Sequence, residues 1–318
     1  VIDRTLLLKH YKGAKNEIKV DIVGHSMGGL IITEYLSQQK SNSKVGKVVS
    51  LGTPFLGSIE AIVKITTGMG LISGSIPKER EREAARATPS IYQLFPSYEK
   101  CVIDQDGKQV DLFKPVNLQR SIVNSLSEYV RLYSVDTLAD DRDKKANEIL
   151  LGLLIGGIEH REKVNSFKLS DAKLKQDDWL AIVGVNSETR IQISVKNSTR
   201  GPWFIIDEDQ FVNELRVDSK SRKTGDGTVP LLGAIPPFIP ENKLVCVTPD
   251  DLGRFELRDQ LFLKLAGLHG ILPTINLVQR LTVKHLKSDY RGEIWGRRVP
   301  GADKWNPPIP DLTVEREY

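Results

Sequence analysis

The chain of 318 residues is long enough for one large α/β domain, or for a core domain carrying a substantial insertion. A net charge of +4 from 45 basic and 41 acidic residues, mixed in sign along the chain, gives no reason to expect a nucleic-acid partner. Cys101 and Cys246 lie too far apart in sequence to imply a disulfide framework, and no run approaches the roughly 20 apolar residues that span a bilayer.

In chain order, residues 5–11 look like the end of a helix stopped near Gly13. Residues 18–23, Ile-Lys-Val-Asp-Ile-Val, read as a strand, although Lys19 and Asp21 alternate in a way a fully buried parallel strand does not. A tight turn over 24–29 leads into helical spacing at Leu30, Ile31, Ile32, Tyr35 and Leu36, then a second strand over 45–51. Strand, helix, strand makes a βαβ unit with a right-handed crossover. Helices are predicted within 78–85, 121–132 and 144–155, and a hairpin turn at Asp106-Gly107. Strand character returns at 179–185, in an alternating pair at 191–195 and 203–206, and at 244–247. Helices are expected over 258–266 and 275–286, before a tail with Trp295, Trp305 and several prolines. The expected fold class is α/β, with a mostly parallel sheet and a largely helical insertion. This divides the chain into core (1–54), insertion (55–176) and remaining core (177–318).

The chemistry is concentrated at Gly24-His25-Ser26-Met27-Gly28. A serine hydroxyl is a poor nucleophile without a base to take its proton and donors to meet the oxyanion. Gly-x-Ser-x-Gly between a strand and a helix presents the serine at the helix N-terminus and aims the next backbone N–H, that of Met27, at the developing oxyanion. His25 leaves the elbow beside the serine, and adjacent side chains there diverge, so a structural role is expected of it. The order on this scaffold is serine, then acid, then histidine after the last strand. His160 falls in the insertion, and His285 sits in the polar helical pattern Lys284-His285-Leu286-Lys287, as a solvated residue would. His269, flanked by Gly267 and Gly270, is therefore the expected base. Asp226, between Gly225 and Gly227, is the expected acid, with Asp250 and Asp251 as runners-up. No metal and no cofactor is expected.

With these residues placed, the chain resembles the lecithin:cholesterol acyltransferase-like branch of the α/β hydrolases. The likeness is carried by Val23-Gly24-His25-Ser26-Met27-Gly28-Gly29, Leu51-Gly52-Thr53-Pro54-Phe55-Leu56-Gly57-Ser58, Pro89-Ser90-Ile91-Tyr92-Gln93-Leu94-Phe95-Pro96-Ser97, Gly225-Asp226-Gly227-Thr228-Val229-Pro230 and the His269 loop. The resemblance implies the α/β-hydrolase fold, acyl-ester chemistry on lipids and a helical cap between the serine and acid segments. Hydrolysis of lipid esters, O-acyl transfer from a lipid donor, and a non-catalytic interaction role remain open alternatives. Residues 59–65 and 149–155 are either substrate-facing surfaces, with peripheral contact to a lipid surface as the corresponding partner expectation, or the insertion's own core. Such folds place strands before the elbow and draw a second oxyanion donor from a loop among them. This chain leaves no room for them, so the N-terminal strands are expected to be missing and the isolated chain inactive or poorly folded. The compartment is left open, a soluble cytoplasmic protein being compatible with the sequence.

Overall fold

The computed structural model describes residues 19–39, 43–69, 78–134, 138, 141–199, 201–206, 224–252, 267–310, 312 and 314–315. The helices expected over 5–11 and 258–266 lie outside them. In chain order the main elements are β1 (Val20–His25), α1 (Gly28–Gln39), β2 (Val45–Leu51), α2 (Ile59–Thr67), α3 (Glu79–Arg86), α4 (Pro89–Gln93), β3 (Val102–Ile103), α5 (Arg120–Tyr133), α6 (Arg142–Ser166), β4 (Trp179–Gly184), β5 (Ile193–Ser198), β6 (Gly201–Ile205), α7 (Leu231–Ala234), β7 (Val245–Val247), α8 (Asn276–Lys287), β8 (Trp295–Gly296) and β9 (Val314–Glu315).

β1, β2, β4 and β7 pair in that order as a parallel sheet with helices on both faces, an α/β architecture. The period of two sorts its side chains. Trp179, Ala181 and Val183 of β4 enter one apolar core with Cys246 and the α1 residues Leu30, Ile32 and Leu36. Leu180 and Ile182 enter the other with Val245, Val247 and the α8 residues Leu277, Val278 and Leu281. Trp179 keeps its polar tip satisfied by donating from Nε1 to Ser50 Oγ at 2.9 Å. Among the described strands β1 pairs only with β2. Asp21 accepts the Lys47 N–H at 2.7 Å, where the β1–β2 register shifts.

Between β2 and β4 the chain is mostly helical, with α6 packed against α1, α4 and α5. α2 is well terminated: Ser58 accepts from the Glu60 N–H, and Gly68 closes it in the left-handed conformation at φ 78°. Its apolar residues are not a substrate-facing surface. Ile59, Ala61, Ile62, Val63 and Ile65 are all at 0% exposure, while Lys64, Thr66 and Thr67 of the same helix stay partly exposed. α6 splits the second candidate surface: Leu150 and Leu154 point into the core, while Leu151 and Ile155 face outward. The Asp106-Gly107 turn exists, with Gly107 at φ 74°, but it closes on one Ile103–Gln109 bridge, and β3 pairs instead in parallel with β5. The tail is packed, with Trp305 Nε1 donating to the Leu244 carbonyl at 2.8 Å and β8 pairing with β9. Among the described residues no helix is long and apolar enough to cross a membrane.

Buried Arg161, on α6, joins the insertion to itself. Its guanidinium donates to the carbonyls of Phe55, Gln93 (2.9 Å) and Phe95 (3.3 Å). Burial lowers its pKa to about 10, which leaves it charged at neutral pH.

The two faces of α6 make opposite predictions. Leu154→Ala should cost about 2–5 kcal/mol through the cavity it leaves, whereas Leu151→Ala should stay within about 0.5 kcal/mol. Urea unfolding of the two variants checks this.

Candidate active site

β1 delivers His25 to the sheet edge, and the chain then turns sharply. Ser26 adopts φ 56°, a conformation that costs a non-glycine residue energy and recurs where a side chain must be held exposed. The turn is latched to the next strand: the Ser26 N–H donates to the Leu51 carbonyl at 2.8 Å. Gly29, at the start of α1, has no room for a side chain, because a Cβ there would collide with Thr53. The Met27 N–H, at the head of α1, finds no acceptor among the described residues.

Asp226 lies in a loop pinned by antiparallel bridges from Gly225 to Ser187 and to Pro230. The Asp226 side chain is 1% exposed. Its Oδ1 accepts the N–H groups of Thr228 (3.0 Å) and Val229 (2.7 Å), which leaves Oδ2 for His269 Nδ1 at 2.7 Å. His269 Nε2 lies 2.8 Å from Ser26 Oγ. The histidine backbone is held as well, its N–H donating to the Asp226 carbonyl at 2.9 Å. Three residues far apart in sequence thus form one hydrogen-bonded relay. With Nδ1–H committed to Asp226, Nε2 is left to accept the hydrogen bond of the Ser26 hydroxyl. Burial alone would lower the His269 pKa, but the charge and hydrogen bond of Asp226 outweigh it and hold the value above that of an ordinary histidine.

Two supporting residues were not singled out from sequence. Gly52, at φ 55°, sits where a Cβ would come within 2.9 Å of Asp226 Oδ2 and 3.2 Å of His269 Nδ1. Its place directly after a strand, in Gly52-Thr53-Pro54, was the available signal. Thr189 steadies the acid loop by accepting the Gly227 N–H at Oγ1, 2.8 Å, and nothing local marks it.

The residues set aside have other duties. Asp251 pairs with Arg297, caps its own turn by accepting the Thr248 N–H at 2.9 Å, and accepts from Trp295 Nε1 at 3.3 Å, so it anchors the tail. His160 faces Glu34 of α1, with 3.6 Å between Nδ1 and Oε2. His285 is a correction. It is not solvated but at 0% exposure, and burial pushes its pKa down to about 4. Among the described residues no group of three or more His, Cys, Asp or Glu side chains could hold a metal ion.

A family model described as lecithin:cholesterol acyltransferase matches residues 7–148. That stretch is a little under half of the chain and holds Ser26 and residues 51–58 and 89–97, but neither Asp226 nor His269. The resemblance read from the sequence is borne out over it. None of the curated proteins matches the chain. Among solved structures, a chain of the crystal structure of Tle4-Tli4 complex is similar at 18% identity and a TM-score of 0.48, covering 74% of this chain and 53% of that one. The present chain therefore spans about half the length of that structure.

Asp226→Asn removes the charge that raises the His269 pKa and weakens the hydrogen bond, while burial, which lowers it, remains. The ring's titration midpoint should fall below the ordinary value of about 6.5, as followed by histidine ring NMR; an unmoved midpoint would show the two groups to be uncoupled. In the wild type the pair's contribution to stability is full below about pH 6.5 and is lost as pH rises through the raised His269 value.

Proposed function

We propose that this chain carries the catalytic residues of a serine hydrolase that acts on acyl esters of lipids through an acyl-enzyme on Ser26. One observation carries the reading: a strained, half-buried serine in hydrogen-bond reach of a histidine that is itself held by a buried carboxylate. In the proposed reaction Ser26 Oγ attacks the ester carbonyl as its proton passes to His269 Nε2. Asp226 keeps Nδ1–H in place and stabilises the imidazolium. The carbonyl oxygen becomes an oxyanion facing the Met27 N–H. When the C–O bond breaks, His269 returns the proton to the departing alkoxide. Water, activated by the same histidine, then adds to the acyl carbonyl and releases the acid and Ser26.

A second reading differs only in this last step: an alcohol replaces water and takes the acyl group. The family description, an acyltransferase, favours keeping it. The lipid class of substrate also rests on that family likeness. In either reading residues 55–176 serve as the cap over a core built from 1–54 and 177–318. Leu151, Ile155 and Ile158, between 36% and 49% exposed along α6, offer that cap an apolar surface for lipid.

Ser26→Ala should abolish both fluorophosphonate labelling and ester turnover, and labelling that persists would place the nucleophile elsewhere. Activity should rise with pH as His269 loses its proton, with an apparent pKa above about 6.5. Product analysis with and without an added alcohol separates hydrolysis from transfer. The double variant Leu151→Ser, Ile155→Ser should reduce turnover of aggregated lipid more than that of short soluble esters; equal loss on both would argue against a lipid-docking cap.

A further inference from the structure

We propose that His25 is a positioning residue for His269, acting through the main-chain carbonyl of the histidine; this deepens the hydrolase reading and rests on it. His25 Nε2 lies 2.8 Å from the His269 carbonyl oxygen, joining the elbow to the histidine loop across 244 residues of chain. The two rings sit 5.0 Å apart, tilted by 36°.

The carbonyl needs such a donor for a reason visible in the sequence. His269 lies among the helical residues 267–271, where its carbonyl would ordinarily accept from the N–H four residues on. That residue is Pro273, which has no N–H. His25 supplies the missing donor, and the bond completes the histidine's attachment. The His269 N–H goes to the Asp226 carbonyl, Nδ1 to the Asp226 carboxylate, Nε2 to Ser26 and the carbonyl to His25. Two adjacent elbow residues therefore grip the base at both ends, Ser26 by its ring and His25 by its backbone. A displacement of the elbow carries the base with it, so the distance between nucleophile and base is kept. Burial lowers the His25 pKa, so at neutral pH the ring brings a donor without adding charge beside the imidazolium that forms on His269.

The test compares His25→Phe, which keeps a ring but loses the donor, with His25→Gln, which retains an N–H donor, in the full chain. His25→Phe should lower kcat about tenfold with KM unchanged, as a slightly misplaced catalytic group does, and slow fluorophosphonate labelling by the same factor. His25→Gln should recover most of both. In protein labelled with ¹⁵N-histidine, the His269 Nδ1–H signal bonded to Asp226 should persist in the wild type and His25→Gln and broaden in His25→Phe. His25→Ala replaces His25→Phe if the larger ring prevents folding. Unchanged kcat and ring signal in His25→Phe would overturn the proposal, as would a rate loss shared by His25→Gln with the ring signal intact. If the wild type neither labels nor turns over esters, the hydrolase reading falls and the ring signal alone decides: loss in His25→Phe with retention in His25→Gln supports positioning, and no change overturns it.

Discussion

The path of the chain as it leaves β2 is the constraint on which the rest of the structure depends. Between Leu51 and Ser58 a few residues spend backbone groups and one hydroxyl on four other parts of the molecule. The Leu51 carbonyl holds the Ser26 turn, and the Leu56 N–H donates to the Gly233 carbonyl at 2.8 Å. Ser58 reaches the Leu94 carbonyl with its N–H, 3.0 Å, and the Thr228 carbonyl with its hydroxyl, 2.5 Å. The Leu56 carbonyl accepts from the Ser97 N–H at 2.9 Å. Gly52 makes the path possible, since its left-handed φ turns the chain away just where a side chain would have displaced Asp226 and His269. Several of the segments that carry the family likeness are thus in mutual contact, which gives their joint appearance in one chain a physical reason.

Arg161 extends that constraint into the insertion. A buried guanidinium without a hydrogen-bonding partner would be costly. Here three carbonyls from residues 55, 93 and 95 accept from it. Those carbonyls end short or irregular segments, where no repeating ladder would satisfy them. A single long side chain therefore closes the account of backbone acceptors and fixes α6 to the segment that shapes the site.

The four described histidines show how little residue type alone decides. His269 and His285 are both buried, and burial lowers both pKa values, but at His269 the charge and hydrogen bond of Asp226 outweigh it, whereas at His285 burial prevails. The solvated reading of His285 failed for a rotational reason. Lys284 and Lys287 flank it in sequence, but position 285 falls on the side of α8 that meets the sheet, in line with Leu277, Val278 and Leu281.

From the sequence alone came the parallel βαβ core, the elbow at Ser26 and the glycine-flanked positions of Asp226 and His269. Each of these is announced within a few residues, by strand-to-helix punctuation or by glycines that free a loop, and the serine–acid–histidine order then ranks the candidates. Tertiary structure alone decided which faces of α2 and α6 turn inward, that Asp251 belongs to Arg297, and that Thr189, Arg161 and His25 serve backbone groups far away in the chain. Hydrophobic periodicity can place an apolar stripe, but where the apolar run continues around the axis, as over residues 149–155 of α6, it cannot choose the face. A hydrogen bond from His25 to a carbonyl 244 residues later leaves no local pattern at either end. The absent N–H of Pro273 was written in the sequence, but only the folded chain shows which side chain takes its place.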